Sequence, residues 1–302
     1  MKSLVVGYGS IGARHARLLT ELGCETSVVS RRGCIEYPSF DSISSAVERF
    51  EPDYAVLARE TRLHHEDLAE LAKHGFKGTV LVEKPLFHLP LQMPANSFRN
   101  VFVAYNLRFH PLMQKMYGIL LSERILSAQI YAGQYLPGWR PDRDYRRTYS
   151  SARNDGGVLR DLSHELDYIQ WLFGRWQKVA AVGDHYSDLE IDSDDCFSLL
   201  VVTEKCPAVS LQLNYLDRSG RRTMIINTDT ATILLNLVNG TLTINNDTEN
   251  CKTERDTTYI NQHRAILEGD FSFLCTADEG MQVMQLIQAA EMAAQNSVWI
   301  SQ

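Results

Sequence analysis

The first twelve residues constrain what this chain can fold into more than any other stretch. A short apolar run, Lys2–Val6, leads directly into Gly7-Tyr8-Gly9-Ser10-Ile11-Gly12. A helical pattern through Ala13, Leu18 and Leu19 then runs to Gly23. In a strand, loop and helix of this kind each glycine has a task. The first allows the tight turn, the second lets backbone approach a pyrophosphate, and the third lets the helix pack against the strand. The helix start adds N–H groups and the positive end of its dipole. The expectation is a dinucleotide-binding loop made by Gly7, Tyr8, Gly9, Ser10, Ile11 and Gly12. The alternative is a plain glycine-rich turn.

The alternation continues. Thr26–Ser30, Tyr54–Ala58, Thr79–Val82 and Val101–Ala104 read as strands, while 41–50 and His65–His74 read as helices, the latter closed by Gly75. Apolar strands alternating with helices make a parallel sheet covered on both faces. A carboxylate at the end of the second strand would bind the ribose of NAD, but the chain has Ser30-Arg31-Arg32 there. Two guanidiniums suit a 2′-phosphate. The reading is therefore NADP in preference to NAD, with solvated loop charges as the alternative for both arginines.

At 302 residues the chain suits two domains, and 44% hydrophobic with 22% charged residues is ordinary globular usage. Its 30 basic against 37 acidic residues give a net charge of −7, which argues against nucleic acid as a partner. No apolar run reaches the ~20 residues that span a bilayer, and the apolar stretch at the N-terminus stops at Gly7, unlike a signal peptide. Cys24, Cys34, Cys196, Cys206, Cys251 and Cys275 form no C-x-x-C pair, so no metal site is expected. Reduced thiols and no export signal point to the cytoplasm, where the glycosylation patterns at Asn239 and Asn246 would be idle.

Glu83-Lys84-Pro85 follows the fourth strand, at the sheet end where ligands bind. Further on is Gly156-Gly157-Val-Leu-Arg-Asp161-Leu-Ser-His164-Glu-Leu-Asp167-Tyr168. With the glycine loop, Thr61-Arg-Leu-His64 and Tyr105-Asn106-Leu-Arg108-Phe-His-Pro111, the set resembles the Gfo/Idh/MocA oxidoreductases over nearly the whole chain. The resemblance implies a Rossmann domain followed by an α+β domain with a largely antiparallel open sheet, whose exposed face often builds a homodimer or higher oligomer. It implies that Lys84 lies beside the nicotinamide and the reacting carbon, that Asp161 and His164 are acid–base partners, and that Arg108 positions the substrate. Thr61, His64 and Glu83 join the glycine loop, Ser30, Arg31, Arg32 and Lys84 as cofactor residues. Many members space the aspartate and histidine four apart. Here the gap is three, while His164 to Asp167 keeps the usual spacing.

The chemistry is self-consistent. Oxidising a sugar hydroxyl removes its proton as hydride leaves, and a lysine with a lowered pKa or a histidine can take that proton near neutral pH. Read as one helix from Val158 to Phe173, the segment puts Leu162, Leu166, Ile169 and Phe173 on a core stripe. Asp161, His164, Tyr168 and Trp171 share another face, suited to a sugar. The bland alternative is an amphipathic helix with a half-buried second face.

Residues 137–153 read as a loop with Arg140, Arg143, Arg146, Arg147 and Arg153 interleaved with Trp139, Tyr145 and Tyr149. Trp139, Arg140, Tyr145 and Arg153, together with His164 and Tyr168, are the candidate contacts to an anionic sugar. The alternative is a solvated loop in which Asp142 and Asp144 pair part of the charge. The segment also resembles family members of nonulosonic-acid pathways, which implies an acidic or nucleotide-activated sugar.

Beyond the helix, strand-like runs follow at Lys178–His185, Cys196–Thr203, Ala208–Tyr215, Thr223–Asn227, Thr230–Val238 and Thr241–Asn245, with a hairpin at Asn239-Gly240. Helices over Tyr259–Leu274 and Asp278–Gln295 close the chain, and Met281, Met284 and Met292 read as core. The expected division is 1–107 for the dinucleotide and 108–302 for substrate and oligomerisation. The sequence reading is an NAD(P)-dependent sugar dehydrogenase or reductase. Its rivals are a dinucleotide-binding regulator of the same fold and a nicotinamide-dependent glycosidase.

Overall fold

The computed structural model describes residues 1–31, 36–139 and 143–302. Arg32 and Arg140, both candidate site residues, lie outside the described residues. The chain runs β1 (Lys2–Val6), α1 (Ser10–Glu21), β2 (Glu25–Val29), β3 (Ser39–Phe40), α2 (Ile43–Phe50), β4 (Tyr54–Leu57), α3 (His64–Lys73), β5 (Thr79–Val82) and β6 (Asn100–Val103). It continues with α4 (Pro111–Leu120), β7 (Ile125–Gly133), α5 (Val158–Asp161), α6 (Ser163–Phe173), β8 (Trp176–Asp184), β9 (Cys196–Thr203) and β10 (Val209–Asn214). Then follow β11 (Arg221–Thr228), β12 (Thr232–Asn236), β13 (Thr241–Ile244), β14 (Asp247–Asn250), α7 (Thr257–Glu268), β15 (Cys275–Thr276), α8 (Ala277–Asn296) and β16 (Ile300–Ser301). No described helix is long and apolar enough to cross a membrane.

Two compact units emerge: Met1–Phe109 with Arg255–Met284, and His110–Glu254 with Gln285–Gln302. The return of 255–284 to the first unit corrects the expected division at 107/108. The physical reason is apolar. Ala265, Ile266 and Leu274 are buried in the same core as Val5, Val28, Val56, Leu81 and Phe102.

The first unit holds a seven-stranded sheet in the order β15-β6-β5-β4-β1-β2-β3, parallel except for the edge strand β15. Strands β4 and β5 are buried at every residue, which is why they read as unbroken apolar runs. Strand order reverses beside β1, so the glycine loop leaves the sheet at its switch point, where open α/β sheets bind ligands.

The second unit holds a nine-stranded sheet in the order β14-β13-β12-β11-β7-β10-β9-β8-β16. It is antiparallel throughout except where β7 pairs with β10. The sequence reading omits this central strand and α4. One face buries Ile130, Leu199, Leu211, Met224 and Leu235, with α5 and α6 against it. The other face leaves Val182, Leu200 and Ile225 exposed.

Local geometry corrects two further expectations. The helix expected over 158–173 is two helices, because Leu162 leaves the helical region at φ −98°, ψ 31° and Glu165 N–H turns back to the Leu162 carbonyl. The helix expected to reach Leu274 stops at Glu268, where Gly269 takes the left-handed conformation at φ +77°.

The glycines of the loop differ in what they tolerate. A Cβ on Gly12 would run into the Gly7 carbonyl oxygen, whereas one on Gly9 meets nothing within 4 Å. Gly12→Ala is therefore expected to lower stability by about 2 kcal/mol. Gly9→Ala, at an extended helix N-cap, should stay within about 1 kcal/mol of wild type. Urea denaturation of the two variants checks this, and equal losses would refute it.

Candidate functional site

In the first unit the glycine loop is built around close backbone approaches. Gly7 adopts φ +97° and donates to the Val29 carbonyl at 3.0 Å. A Cβ on it would strike Arg59, whose Cγ lies 2.8 Å away. Gly9 begins α1 with no side-chain cap. Among the described residues at the end of β2 there is no carboxylate: Ser30 and exposed Arg31 stand there. Arg59, at the end of β4, is ion-paired with buried Asp67, its Nε 2.8 Å from Oδ2. Desolvation lowers the Arg59 pKa, and the nearby charge of Arg31 lowers it further. Open backbone at Gly9, an uncapped helix start and two guanidiniums fit a dinucleotide phosphate. On the other side of the loop, Tyr8 Oη donates to Glu36 at 3.3 Å.

His64 is brought to the segment that follows Glu83 and Lys84. Thr61 opens a short 3₁₀ turn, and fully buried His64 follows it. The imidazole lies between backbone carbonyls, Nδ1 being 3.2 Å from Pro85 O and 3.1 Å from Leu86 O. Nε2 is 3.2 Å from Arg59 O. Burial lowers the His64 pKa, against the opposing pull of the Leu86, Arg59 and Pro85 carbonyls, and the ring braces one loop on the other. Lys84 is half-buried. Its neighbour Glu83 is buried and accepts from His15 Nε2 at 2.8 Å through Oε1 and from Lys84 N–H at 3.1 Å through Oε2. Burial pushes the Glu83 carboxyl up, but the His15 hydrogen bond and the charge of Lys84 hold it below the ordinary value. Arg108, expected to face substrate, is buried within this unit and is bound by Glu279 at 3.1 Å.

In the second unit His164 sits half-buried in the first turn of α6. Asp161, at the end of α5, is buried and accepts from Tyr215 Oη at 2.6 Å. Trp139 packs edge-on against Tyr215, with centroids 5.4 Å apart, so Trp139, Tyr215 and Asp161 form one cluster. Tyr168 is fully buried rather than on a cleft face. Its hydroxyl donates to Glu165 at 3.1 Å, and Glu165 is paired with Arg222 at 2.7 Å. The arginine segment forms short 3₁₀ turns. Arg146 is held by Asp144 at 2.8 Å and Glu190 at 2.9 Å, as the charge-pairing alternative requires. Arg147 lies 3.8 Å from Asp144, while Arg143 and Arg153 are exposed and Tyr145 is half-buried. Among the described residues no His/Cys/Asp/Glu group could hold a metal.

The sequence reading leaves out Arg59, His15, Tyr215, Arg222 and Asp194. Only His15 carried a local signal, one turn beyond Gly12. Asp194 caps α5: its backbone carbonyl accepts from Val158 N–H at 3.1 Å and its Oδ2 from Leu159 N–H at 3.2 Å. Desolvation still pushes its carboxyl up to about 6. The folded value lies above the ordinary 3.8, so the folded chain keeps a proton that the unfolded chain releases. This contribution to stability is present at low pH and is lost as pH rises through the window to about 6. Asp194→Asn, which keeps an acceptor for Leu159, should remove roughly 2–3 kcal/mol of that fall. Urea titrations of both proteins at pH values across the window test this, and parallel curves would contradict it.

Residues 124–234 match the family model of the GFO/IDH/MocA C-terminal domain. No curated protein sequence shows significant similarity to the chain. Solved structures match it over its whole length. The WlbA dehydrogenase from Bordetella pertussis, in complex with NADH and UDP-GlcNAcA, is 21% identical with TM-score 0.81, covering 100% of this chain and 98% of that one. Levoglucosan dehydrogenase in complex with NADH is 16% identical with TM-score 0.85 and the same coverages, 100% and 98%. GenD2 from gentamicin A biosynthesis, in complex with NAD, is 18% identical with TM-score 0.81, covering 100% and 96%. Residues 124–234 thus carry the GFO/IDH/MocA C-terminal domain, and the chain has the fold of these dehydrogenases over its whole length.

Proposed function

We propose that the chain is a nicotinamide-dependent oxidoreductase acting on a hydroxyl or carbonyl carbon of a sugar. The observation that carries this reading is the pairing, in one unit, of an open glycine cradle with Lys84 held beside an anchored Glu83. The bound nicotinamide supplies the hydride acceptor or donor. Lys84 takes or returns the proton of the reacting oxygen, and His164 keeps the acid–base role that the resemblance implies. Asp161, already accepting from Tyr215, orients the site as its part in this reading. NADP is the preferred cofactor, supported by Arg31 and Arg59 with no acid at the end of β2. NAD is the second reading, favoured by Glu36 on the Tyr8 side of the loop. The finer substrate class is an acidic or nucleotide-activated sugar, supported by exposed Arg143 and Arg153 and by the UDP-GlcNAcA of the WlbA complex. The cytoplasm is the proposed location, in keeping with the free thiols of Cys24, Cys196, Cys206, Cys251 and Cys275.

Thermal-shift panels with NAD⁺ or NADP⁺, then with nucleotide sugars, sugar acids and neutral polyols, test cofactor and substrate together. A ligand at ~100 times its dissociation constant adds about 2.7 kcal/mol. The expected pattern is a larger shift with NADP⁺, lost in Gly9→Ala, and a further shift with anionic sugars only. A shift with polyols alone would overturn the finer class. Lys84→Ala should keep dinucleotide binding and lose at least ~100-fold in turnover. Unchanged turnover would support a different mechanism, binding without turnover in wild type a regulator, and sugar release without net cofactor change a glycosidase.

We also propose that the exposed face of the nine-stranded sheet joins two copies. Val182 is 68% and Leu200 54% exposed, on a groove of about 520 Å³ whose lining includes Tyr131, Ala180, Gln212 and Ile225. Apolar surface of this kind marks an interface. Sedimentation velocity should give a dimer that Leu200→Glu converts to monomer, and a monomeric wild type would end the idea.

A further inference from the structure

Four titratable side chains far apart in sequence form one hydrogen-bonded row in the first unit. Glu83 Oε1 is 2.8 Å from His15 Nε2, His15 Nδ1 is 2.8 Å from His263 Nε2, and His263 Nδ1 is 2.9 Å from Tyr54 Oη. His15, His263 and Tyr54 are completely buried. Tyr54 lies on β4 inside the core, so the row has no outlet to water at that end and cannot deliver protons to solvent.

Donor logic orders the row. Glu83, held as a carboxylate, only accepts, so His15 must present Nε2–H to it. If His15 stays neutral, its Nδ1 accepts from His263 Nε2–H, and His263 Nδ1 accepts from the Tyr54 hydroxyl. Every proton then has one acceptor. A doubly protonated His15 would turn His263 around, so that the Tyr54 oxygen accepts and its O–H has no acceptor within the row. Burial holds the His263 pKa well below its ordinary value and raises that of Tyr54, in keeping with a neutral ring and an intact hydroxyl at the closed end of the row.

We propose that His15, His263 and Tyr54 are positioning residues for Lys84. The tyrosine hydroxyl supports the His263 tautomer that donates to His15, and so holds the His15 ring in place against Glu83. His15 in turn holds Glu83 so that its other oxygen receives the Lys84 N–H at 3.1 Å. Partners one and two shells away fix imidazole tautomers in this way at working sites. The catalytic consequence rests on the oxidoreductase reading above, whereas the structural one does not.

The test separates the two. In the unliganded protein, long-range ¹H–¹⁵N spectra should show His15 and His263 as neutral Nε2–H tautomers. Tyr54→Phe should mix the His263 tautomers and speed exchange of the Lys84 amide about tenfold, without unfolding. His263→Gln, whose amide can accept from Tyr54 and donate to His15, should keep the slow exchange. Unchanged tautomers, or Lys84 exchange at the wild-type rate in Tyr54→Phe, would overturn the proposal whether or not the protein turns over a sugar. In turnover, Tyr54→Phe should lower kcat about tenfold and leave the dinucleotide Kd alone. An altered row with unchanged kcat would overturn the link to Lys84. A wild type that binds no nicotinamide dinucleotide would instead overturn the oxidoreductase reading.

Discussion

The close approach of α1 to β1 at Gly12 is the contact on which the first unit depends. With no side chain there, the helix settles against the Gly7 carbonyl. That fixes the loop geometry and leaves Gly9 open. It also sets the rotation of α1, so that His15, one turn further on, points into the core and reaches Glu83. The loop conformation, the direction of α1 and the setting of Glu83-Lys84-Pro85 therefore share one steric origin. A larger residue at 12 would disturb all three, because close-packed interiors transmit displacement.

The second unit is anchored differently. The antiparallel sheet supplies a flat apolar face, and α5 and α6 must be held on it at a fixed rotation. Hydrophobic contact alone is non-directional. The directional contacts are polar: Asp194 at the start of α5, Tyr215 on Asp161, and Arg222 of β11 on Glu165 of α6. Ionised groups out of water are costly unless paired and hydrogen-bonded. Here Glu165 has both a guanidinium and the Tyr168 hydroxyl. The unit gives up solvation to fix where α6 begins, and His164 is its second residue.

Legibility of the fold followed the range of the interactions. Strands β1 and β5 were readable because parallel strands buried on both faces are unbroken apolar runs, and the glycine loop because its constraint is local. Strand β7 was not. Its inward positions include Ala128 and Ala132, small residues that weaken the alternation a strand is read by. The break at Leu162 involves neither Gly nor Pro, so nothing local announces it. The return of Arg255–Met284 and the His15–His263 contact, 248 residues apart, depend on tertiary packing that no window of sequence contains. Tyr168 was misplaced for a related reason. A helical wheel orders side chains around an axis but does not say how deeply the helix is set, and α6 is buried on more than its apolar stripe.

Both units solve one problem alike. Lys84 and His164, the residues proposed to handle the proton, are each half-buried, and each is followed or preceded in the chain by a buried glutamate, Glu165 and Glu83. Each glutamate is gripped by a side chain from a distant element, Arg222 in one case and His15 in the other. A residue that handles a proton must be set accurately on the backbone, and the grip on its chain neighbour supplies that support. The anchored carboxylate fixes the backbone, while the working side chain stays at the edge of the core. On this view the sequence positions next to the chemistry, rather than the chemical groups alone, carry the positional accuracy of the site.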